Sequence, residues 1–285
     1  MKKLAFILCL ALVVGLLPGC THAPQAQIAA TTLPVYEFTL RLCEGTGITV
    51  TRLVTEEVSC LHDYTLKTTQ LQAIEGAQLI VISGGGLEDF MADVLPEGKT
   101  IDAAAGIELH HGHEHEGHDH QHDPHIWLSP LYAKEMVSNI SAGLQAKFPE
   151  HTNTFYMNEQ ILHKELDALY RFGTEQLADL SSRQLITFHD GFHYFAECFD
   201  LEILHAVEEE SGSEASAQEL IELIGLVETH QIPAIFTERS GSTSAATIVA
   251  KECGIKIYTL DMAMAGNSYY EAMHANIKAI KEALG

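Results

Sequence analysis

The sequence has 285 residues and a formal net charge of −23 at pH 7, from 39 acidic against 16 basic residues. This length is sufficient for two modest domains. Because so acidic a chain is a poor ligand for nucleic acid and for anionic lipid surfaces, those binding classes are excluded. The charge would attract cations only weakly and without selectivity.

The N-terminus has the pattern of an export signal. Lys2 and Lys3 precede an apolar run from Leu4 to Leu17, which is shorter than the roughly 20 residues of a membrane span. This pattern predicts a secretory signal peptide over residues 1–20. The ending Leu17-Pro18-Gly19-Cys20 resembles the lipobox of bacterial lipoproteins, which implies an extracytoplasmic protein anchored to the cell membrane through a lipid on Cys20. A plain signal peptide and an uncleaved anchor are the alternatives, and both also export the chain.

The first half of the chain alternates strand-like runs with helical patterns. Predicted strands cover 28–31, 48–54, 79–83 and 100–103, and predicted helices cover 33–43, 68–74 and 87–94. This order predicts a parallel sheet with helices on both faces, in an N-terminal domain over 24–148. Residues 110–122 are nearly all His, Asp, Glu and Gly, a composition that cannot form a core and predicts a disordered His-rich loop.

The second half repeats this rhythm after a long helical stretch. Helical spacing runs from Leu131 to about Leu180 with a break near Pro149, and we interpret 149–181 as one long connecting helix. In the C-terminal domain, 182–285, predicted strands cover 185–188, 202–206, 234–237 and 256–260, and predicted helices cover 192–199, 216–230, 243–253 and 268–284. The predicted fold class is α/β, with two parallel-sheet domains joined by the helix and a metal site in the cleft between them.

Four potential metal ligands follow predicted strands. His62, His125 and His189 lie where strands end, and Asp261 follows the last strand. Ligands of open α/β sheets bind beyond the carboxyl ends of strands, so two facing domains would bring these side chains together. Three imidazoles and one carboxylate suit tetrahedral Zn²⁺ better than Mg²⁺ or Ca²⁺, which prefer oxygen ligands. Since the chain has 17 histidines, some fall near strand ends by chance, and spacing alone is only moderately specific.

The strings around these positions resemble the zinc- and manganese-binding receptors of bacterial ABC importers. The matching segments are Ala29–Tyr36, Leu61–Leu66, Asp123–Pro130, Thr187–Phe195 and Tyr258–Asp261. The resemblance extends over essentially the whole mature chain, and Asp-Pro-His-Ile-Trp-Leu-Ser-Pro is its most specific string. It implies ligand roles for the same four side chains.

The resemblance also implies what the protein does. It predicts a monomeric substrate-binding protein that captures Zn²⁺ and delivers it to the permease of an ABC importer, without catalysis. The sequence departs from the family pattern at Tyr64-Thr65-Leu66, where many relatives have Tyr-Glu-Pro, and at the additional His193. The fourth ligand stays open at this point, because Glu238, His193 or water could replace Asp261.

The His-rich loop is a second functional signal. Its histidines are His110, His111, His113, His115, His118, His120 and His122. Such a tract binds transition metals weakly. In the family, similar loops accompany zinc receptors more than manganese receptors, so the main rival cargo, manganese, is disfavoured. The loop is interpreted as an arm that gathers or senses metal, or as an expendable insertion.

Two other function classes remain as alternatives. A zinc-dependent extracellular hydrolase would need an open coordination position and a general base, and the sequence has no His-Glu-x-x-His motif. An extracellular metal buffer or adhesin would use the His-rich loop as its main functional part.

The cysteines allow two interpretations. Export permits disulfides, and the pairs Cys43–Cys60 and Cys198–Cys253 would each lie within one half of the chain. Free buried thiols are equally compatible with the sequence. The wide spacing of the four argues against a thiolate zinc site.

Overall fold

A computed structural model describes residues 26–58, 61, 64–110, 122–207 and 215–285 of the chain. The predicted signal peptide with Cys20, the predicted ligand His62 and positions 111–121 of the His-rich loop lie outside these ranges. Within them, no helix combines the length and the apolar character that crossing a bilayer requires.

The first half forms a four-stranded parallel sheet. Its strands are β1 (Ile28–Ala30), β2 (Val50–Arg52), β3 (Leu79–Ile82) and β4 (Thr100–Asp102), in the order β2-β1-β3-β4. Its helices are α1 (Leu33–Leu42) and α2 (Thr68–Gly76), with a 3₁₀ helix at Asp89–Val94. The central strand β1 is completely buried, as expected for a parallel strand covered on both faces. Pro34 lies in the first turn of α1, where the missing N–H costs no helical hydrogen bond.

Two antiparallel helices follow the first sheet. After a 3₁₀ turn at Ile126–Leu128 come α3 (Pro130–Lys147), a second turn at Pro149–His151, and α4 (Thr152–Gln176). Salt bridges and hydrogen bonds join α3 to α4, among them Lys134 Nζ to Asp167 Oδ1 at 2.6 Å. The helix α4 contacts both α1 and the last helix of the chain, so it connects the two halves.

The second half has the same architecture as the first. Its strands are β5 (Gln184–Phe188), β6 (Glu202–Ala206), β7 (Ala234–Glu238) and β8 (Lys256–Leu260), all parallel, in the order β6-β5-β7-β8. Its helices are α5 (His193–Cys198), α6 (Ala217–His230), α7 (Ser244–Cys253) and α8 (Tyr269–Leu284). The predicted fold class is therefore confirmed, with two parallel sheets and a long helix between them.

The two halves share one continuous apolar core rather than meeting at a loose interface. The ring of Phe38 in α1 packs edge-to-face on Tyr269 of α8, with centroids 5.0 Å apart. The buried Trp127 donates from Nε1 to the carbonyl of Met262 at 2.7 Å, and Tyr269 Oη donates to the carbonyl of Trp127 at 2.7 Å. The segment after β8 is therefore hydrogen-bonded directly to the first half.

The described cysteines are free thiols. Cys198 and Cys253 do not form the disulfide that the sequence allowed within the second half of the chain. The physical reason is their packing: Cys198 contacts the shared core between the halves, whereas Cys253 packs on a separate cluster beneath α6 and α7. Cys43 is also free and buried, and burial raises its pKa to about 12. Cys60 lies outside the described residues.

Candidate metal centre

His125 is held in place by the acidic residue two positions before it. Asp123 Oδ1 accepts from the backbone N–H of His125 at 2.9 Å and lies 2.8 Å from its Nδ1. Burial by itself would raise the pKa of Asp123, but its hydrogen bond to His125 and the charge of that ring keep it below the usual range. An ionised carboxylate at Nδ1 places the imidazole proton there, which makes Nε2 the nitrogen that binds metal.

His189 approaches His125 from the other half of the molecule. It directly follows β5, and its ring centroid lies 5.5 Å from that of His125, at an interplanar angle of 79°. Two imidazoles on one tetrahedral zinc, with Zn–N bonds of about 2.0–2.1 Å, have centroids about 5.2 Å apart. The observed separation therefore fits a shared metal ion. Nδ1 of His189 lies 3.5 Å from Glu238 Oε2, so both rings present Nδ1 to a carboxyl group.

The backbone of Gly191 lies close beside the imidazoles of His125 and His189. A Cβ atom at this position would lie 2.8 Å from Cδ2 of His189 and 3.0 Å from Nδ1 of His125. It would also lie 2.5 Å from Cε of Met262. The close approach of the backbone to both rings therefore requires a residue without a side chain.

Two carboxyl groups of the second sheet adjoin the histidines. Glu238 ends β7 and is 4% exposed, and burial, with a smaller contribution from Asp261, raises its pKa to about 8. Asp261 follows β8 and already uses both oxygens: Oδ1 accepts from the N–H of Ala263 at 2.8 Å, and Oδ2 pairs with Nε of Arg239 at 3.0 Å. A cavity of about 20 Å³ lies between these carboxyl groups. For Asp261 to bind metal, it must share its carboxylate with Arg239.

His193 is directed to a different partner. Its Nε2 lies 2.6 Å from Oδ1 of Asp190, and this hydrogen bond, opposed by burial, raises the pKa of His193. An imidazole stabilised in its protonated form is a poor metal ligand. The contact therefore favours the other candidates for the fourth position.

The structure joins only part of the predicted ligand set. It brings His125, His189, Glu238 and Asp261 to one end of the two sheets, and His62 is outside the described residues. Among the residues it describes, no three metal-ligating side chains come close enough together to form a complete site. The four-ligand set therefore stays a prediction.

Sequence reasoning missed several residues that support the site. Asp123 and Gly191 stand beside the predicted ligands in the matching strings, so their spacing contained a usable signal. Tyr194 also lies in a matching string, Thr187–Phe195, but that string does not indicate which partners its hydroxyl reaches, and Arg239 gave no signal. Tyr194 is buried, and burial raises its pKa to about 12, so its hydroxyl keeps its proton at neutral pH.

The known proteins that this chain resembles are described as metal-binding or zinc-binding proteins. A relative from Treponema pallidum (strain Nichols), called "Putative metal-binding protein", is 30% identical and covers 99% of this chain and 97% of its own length. The "Zinc-binding lipoprotein AdcA" of Streptococcus pneumoniae serotype 4 is 29% identical over 99% of this chain, which spans only 61% of that protein. The crystal structure of the Zn(II)-bound ZnuA-like domain of Streptococcus pneumoniae AdcA superposes with a TM-score of 0.77 at 27% identity, covering 91% of this chain and 99% of that domain.

The family assignment rests on nearly the whole described chain. The model of the family "ZnuA: Zinc-uptake complex component A periplasmic" matches residues 28–283, from the first strand of the first sheet to the last helix. This chain is a member of the ZnuA family of periplasmic zinc-uptake components.

Proposed function

We propose that this protein captures Zn²⁺ outside the cytoplasmic membrane and delivers it to the permease of an ABC importer. The observation that carries the proposal is the meeting of His125 and His189, one from each half, at a ring separation of 5.5 Å that suits a shared tetrahedral ion. Membership of a family of zinc-uptake components supports a receptor rather than an enzyme.

The proposed ligands are His62, His125, His189 and Asp261. Asp261 lies beside the cleft at the end of β8, but its pairing with Arg239 leaves Glu238 as the alternative carboxylate. Glu238 Oε2 accepts no hydrogen bond from any described residue. A cation in the cleft would favour the ionised form of this buried carboxyl group, because opposite charge offsets burial.

The imidazole ligands favour zinc over manganese as the cargo. Nδ1 of His125 is hydrogen-bonded to the carboxylate of Asp123, which raises the basicity of the metal-binding nitrogen of this ring. Imidazole suits zinc, whereas manganese prefers carboxylate and water oxygen.

We also propose how the protein is attached to the membrane and where its domains begin and end. We place a lipid anchor on Cys20, an N-terminal domain at 24–148, the connecting helix at 149–181 and a C-terminal domain at 182–285, in a monomer. The lipobox resemblance supports the anchor, and a lipoprotein among the relatives adds to this support. Radiolabelled palmitate should label the wild-type protein in cells and leave Cys20→Ala unlabelled. Equal labelling of both would exclude this anchor.

Calorimetric titration of metal-stripped protein tests the function. Residues 22–285 should bind one Zn²⁺ tightly and Mn²⁺ more weakly. His125→Ala should abolish the tight event, whereas His230→Ala, on the outer helix α6, should preserve it. Tight binding that survives His125→Ala would refute the site.

Two further variants discriminate the carboxylates. If Asp261 is the fourth ligand, Asp261→Ala weakens zinc binding far more than Glu238→Ala, and the opposite ranking assigns the role to Glu238. A third variant, lacking 111–121 of the His-rich loop and retaining His110, should keep the tight event. Weak binding of several ions that disappears with this deletion would instead favour the metal-buffer alternative. Metal-dependent turnover of ester or peptide substrates would favour the hydrolase.

A further inference from the structure

The hydroxyl of Tyr194 connects the second half of the molecule to the chain segment that carries His125. Tyr194 is fully buried in α5. Its Oη accepts from the backbone N–H of His110 at 2.9 Å and donates to the backbone carbonyl of Asp123 at 3.0 Å. Asp123 N–H in turn donates to the carbonyl of His110 at 3.1 Å. The three residues therefore form one closed hydrogen-bonded group.

This group continues directly to an imidazole of the metal centre. The carboxylate of Asp123 holds both the backbone N–H and Nδ1 of His125. A short side chain has few rotamers, so the position of the Asp123 carboxylate follows from the position of its backbone. Tyr194 fixes that backbone through the carbonyl, and any shift of Asp123 displaces the hydrogen bond that orients His125.

The ring of Tyr194 is held independently of its hydroxyl. It stacks on the ring of His110 at 4.3 Å and contacts Tyr132 edge-to-face at 5.5 Å. The pair between His110 Nε2 and Glu197 Oε2 at 2.9 Å also persists without the hydroxyl. Removing only the oxygen therefore tests the hydrogen bonds and leaves the packing in place.

We propose that Tyr194 is a positioning residue of the metal centre, which acts through Asp123 on the orientation of His125 and so couples the second half of the molecule to a ligand of the first. The inference rests on the proposed function, since it takes His125 as a metal ligand. Partners of metal-binding histidines typically change metal affinity about 10- to 100-fold, and a residue one step further out should act near the lower limit.

The test compares Tyr194→Phe with Tyr132→Phe. Tyr132 packs in the same aromatic group, and its hydroxyl makes no hydrogen bond to any residue the structure describes. We expect Tyr194→Phe to weaken zinc binding about tenfold and to change the visible spectrum of the Co²⁺-substituted protein, which reports ligand geometry. Tyr132→Phe should leave both unchanged. A structural role alone would lower the melting temperature without moving the Co²⁺ spectrum.

A double-mutant cycle tests the route through Asp123. If Tyr194 acts on His125 through Asp123, then Tyr194→Phe has no further effect on affinity in an Asp123→Ala background. Additive losses would overturn the inference, as would wild-type affinity and an unchanged spectrum in Tyr194→Phe. These results are distinct from failure of the proposed function, in which the wild-type protein itself shows no tight zinc binding.

Discussion

Replacing Gly191 by alanine inserts a methyl group beside the imidazoles of His125 and His189. The new Cβ would lie 3.0 Å from Nδ1 of His125 and 2.8 Å from Cδ2 of His189. Unstrained contacts between such atoms begin at about 3.5 Å, so the ring of His125 must move by about 0.5 Å and that of His189 by about 0.7 Å. The third neighbour, Met262 Cε, is the far end of a flexible side chain and can move away at little cost.

The rings cannot yield without losing interactions. His125 is held at Nδ1 by Asp123 at 2.8 Å, and metal–ligand distances tolerate changes of only about 0.2 Å. We therefore expect Gly191→Ala to weaken zinc binding about 10- to 100-fold, which corresponds to about 1.4–2.7 kcal/mol.

Calorimetry with a competing chelator measures the change in zinc affinity, and thermal unfolding of the metal-free protein monitors the fold. Gly225→Ala is the matched control, because a Cβ at Gly225 in α6 meets no atom within 4 Å. Wild-type zinc affinity in folded Gly191→Ala would refute the reasoning, since it would mean that zinc does not bind between these two rings.

Three further predictions concern stability. Gly225→Ala should raise the free energy of unfolding by about 0.5–1 kcal/mol in urea titrations, because glycine in a helix interior has more backbone freedom to lose on folding. Gly173→Ala should lower it by about 1–3 kcal/mol, since the new Cβ would lie 2.2 Å from Cε1 of Phe199; zinc affinity of the folded variant should be unchanged. Trp127→Phe should lower it by about 2 kcal/mol, because the buried carbonyl of Met262 loses its donor at 2.7 Å. Circular dichroism is the appropriate probe for this variant, which lacks the single tryptophan of the chain.

Periodicity in the sequence was sufficient to predict the elements of this fold. The runs at 79–83 and 234–237 are short, apolar and bounded by turn residues, and the structure has β3 and β7 there. Such strands are recognisable because both faces of a parallel sheet are covered, so nearly every side chain is apolar. Alternation of strands and helices then restricts the topology to parallel sheets.

The candidate site was predictable in part. The strand ends at His189 and Asp261 placed these residues at one edge of the second sheet, and the string around His125 identified it through a family resemblance. The residues that contact and orient these candidate ligands could be recognised only in the three-dimensional structure. No spacing in the chain indicates that Arg239 pairs with Asp261, because that contact depends on how two neighbouring strands end. The same holds for the pair between His189 and Glu238, which are 49 positions apart by their numbers.

By itself, the sequence determined the two-sheet architecture and the residue types suited to zinc, because these depend on local periodicity and on the chemistry of individual side chains. Only the tertiary structure decided which side chains act on the histidines. Trp127 and Tyr194 reach their partners, Met262 and Asp123, across the contact between the two halves, 135 and 71 positions away. Long-range contacts of this kind follow from the packing of a shared core, which no local pattern in the chain contains.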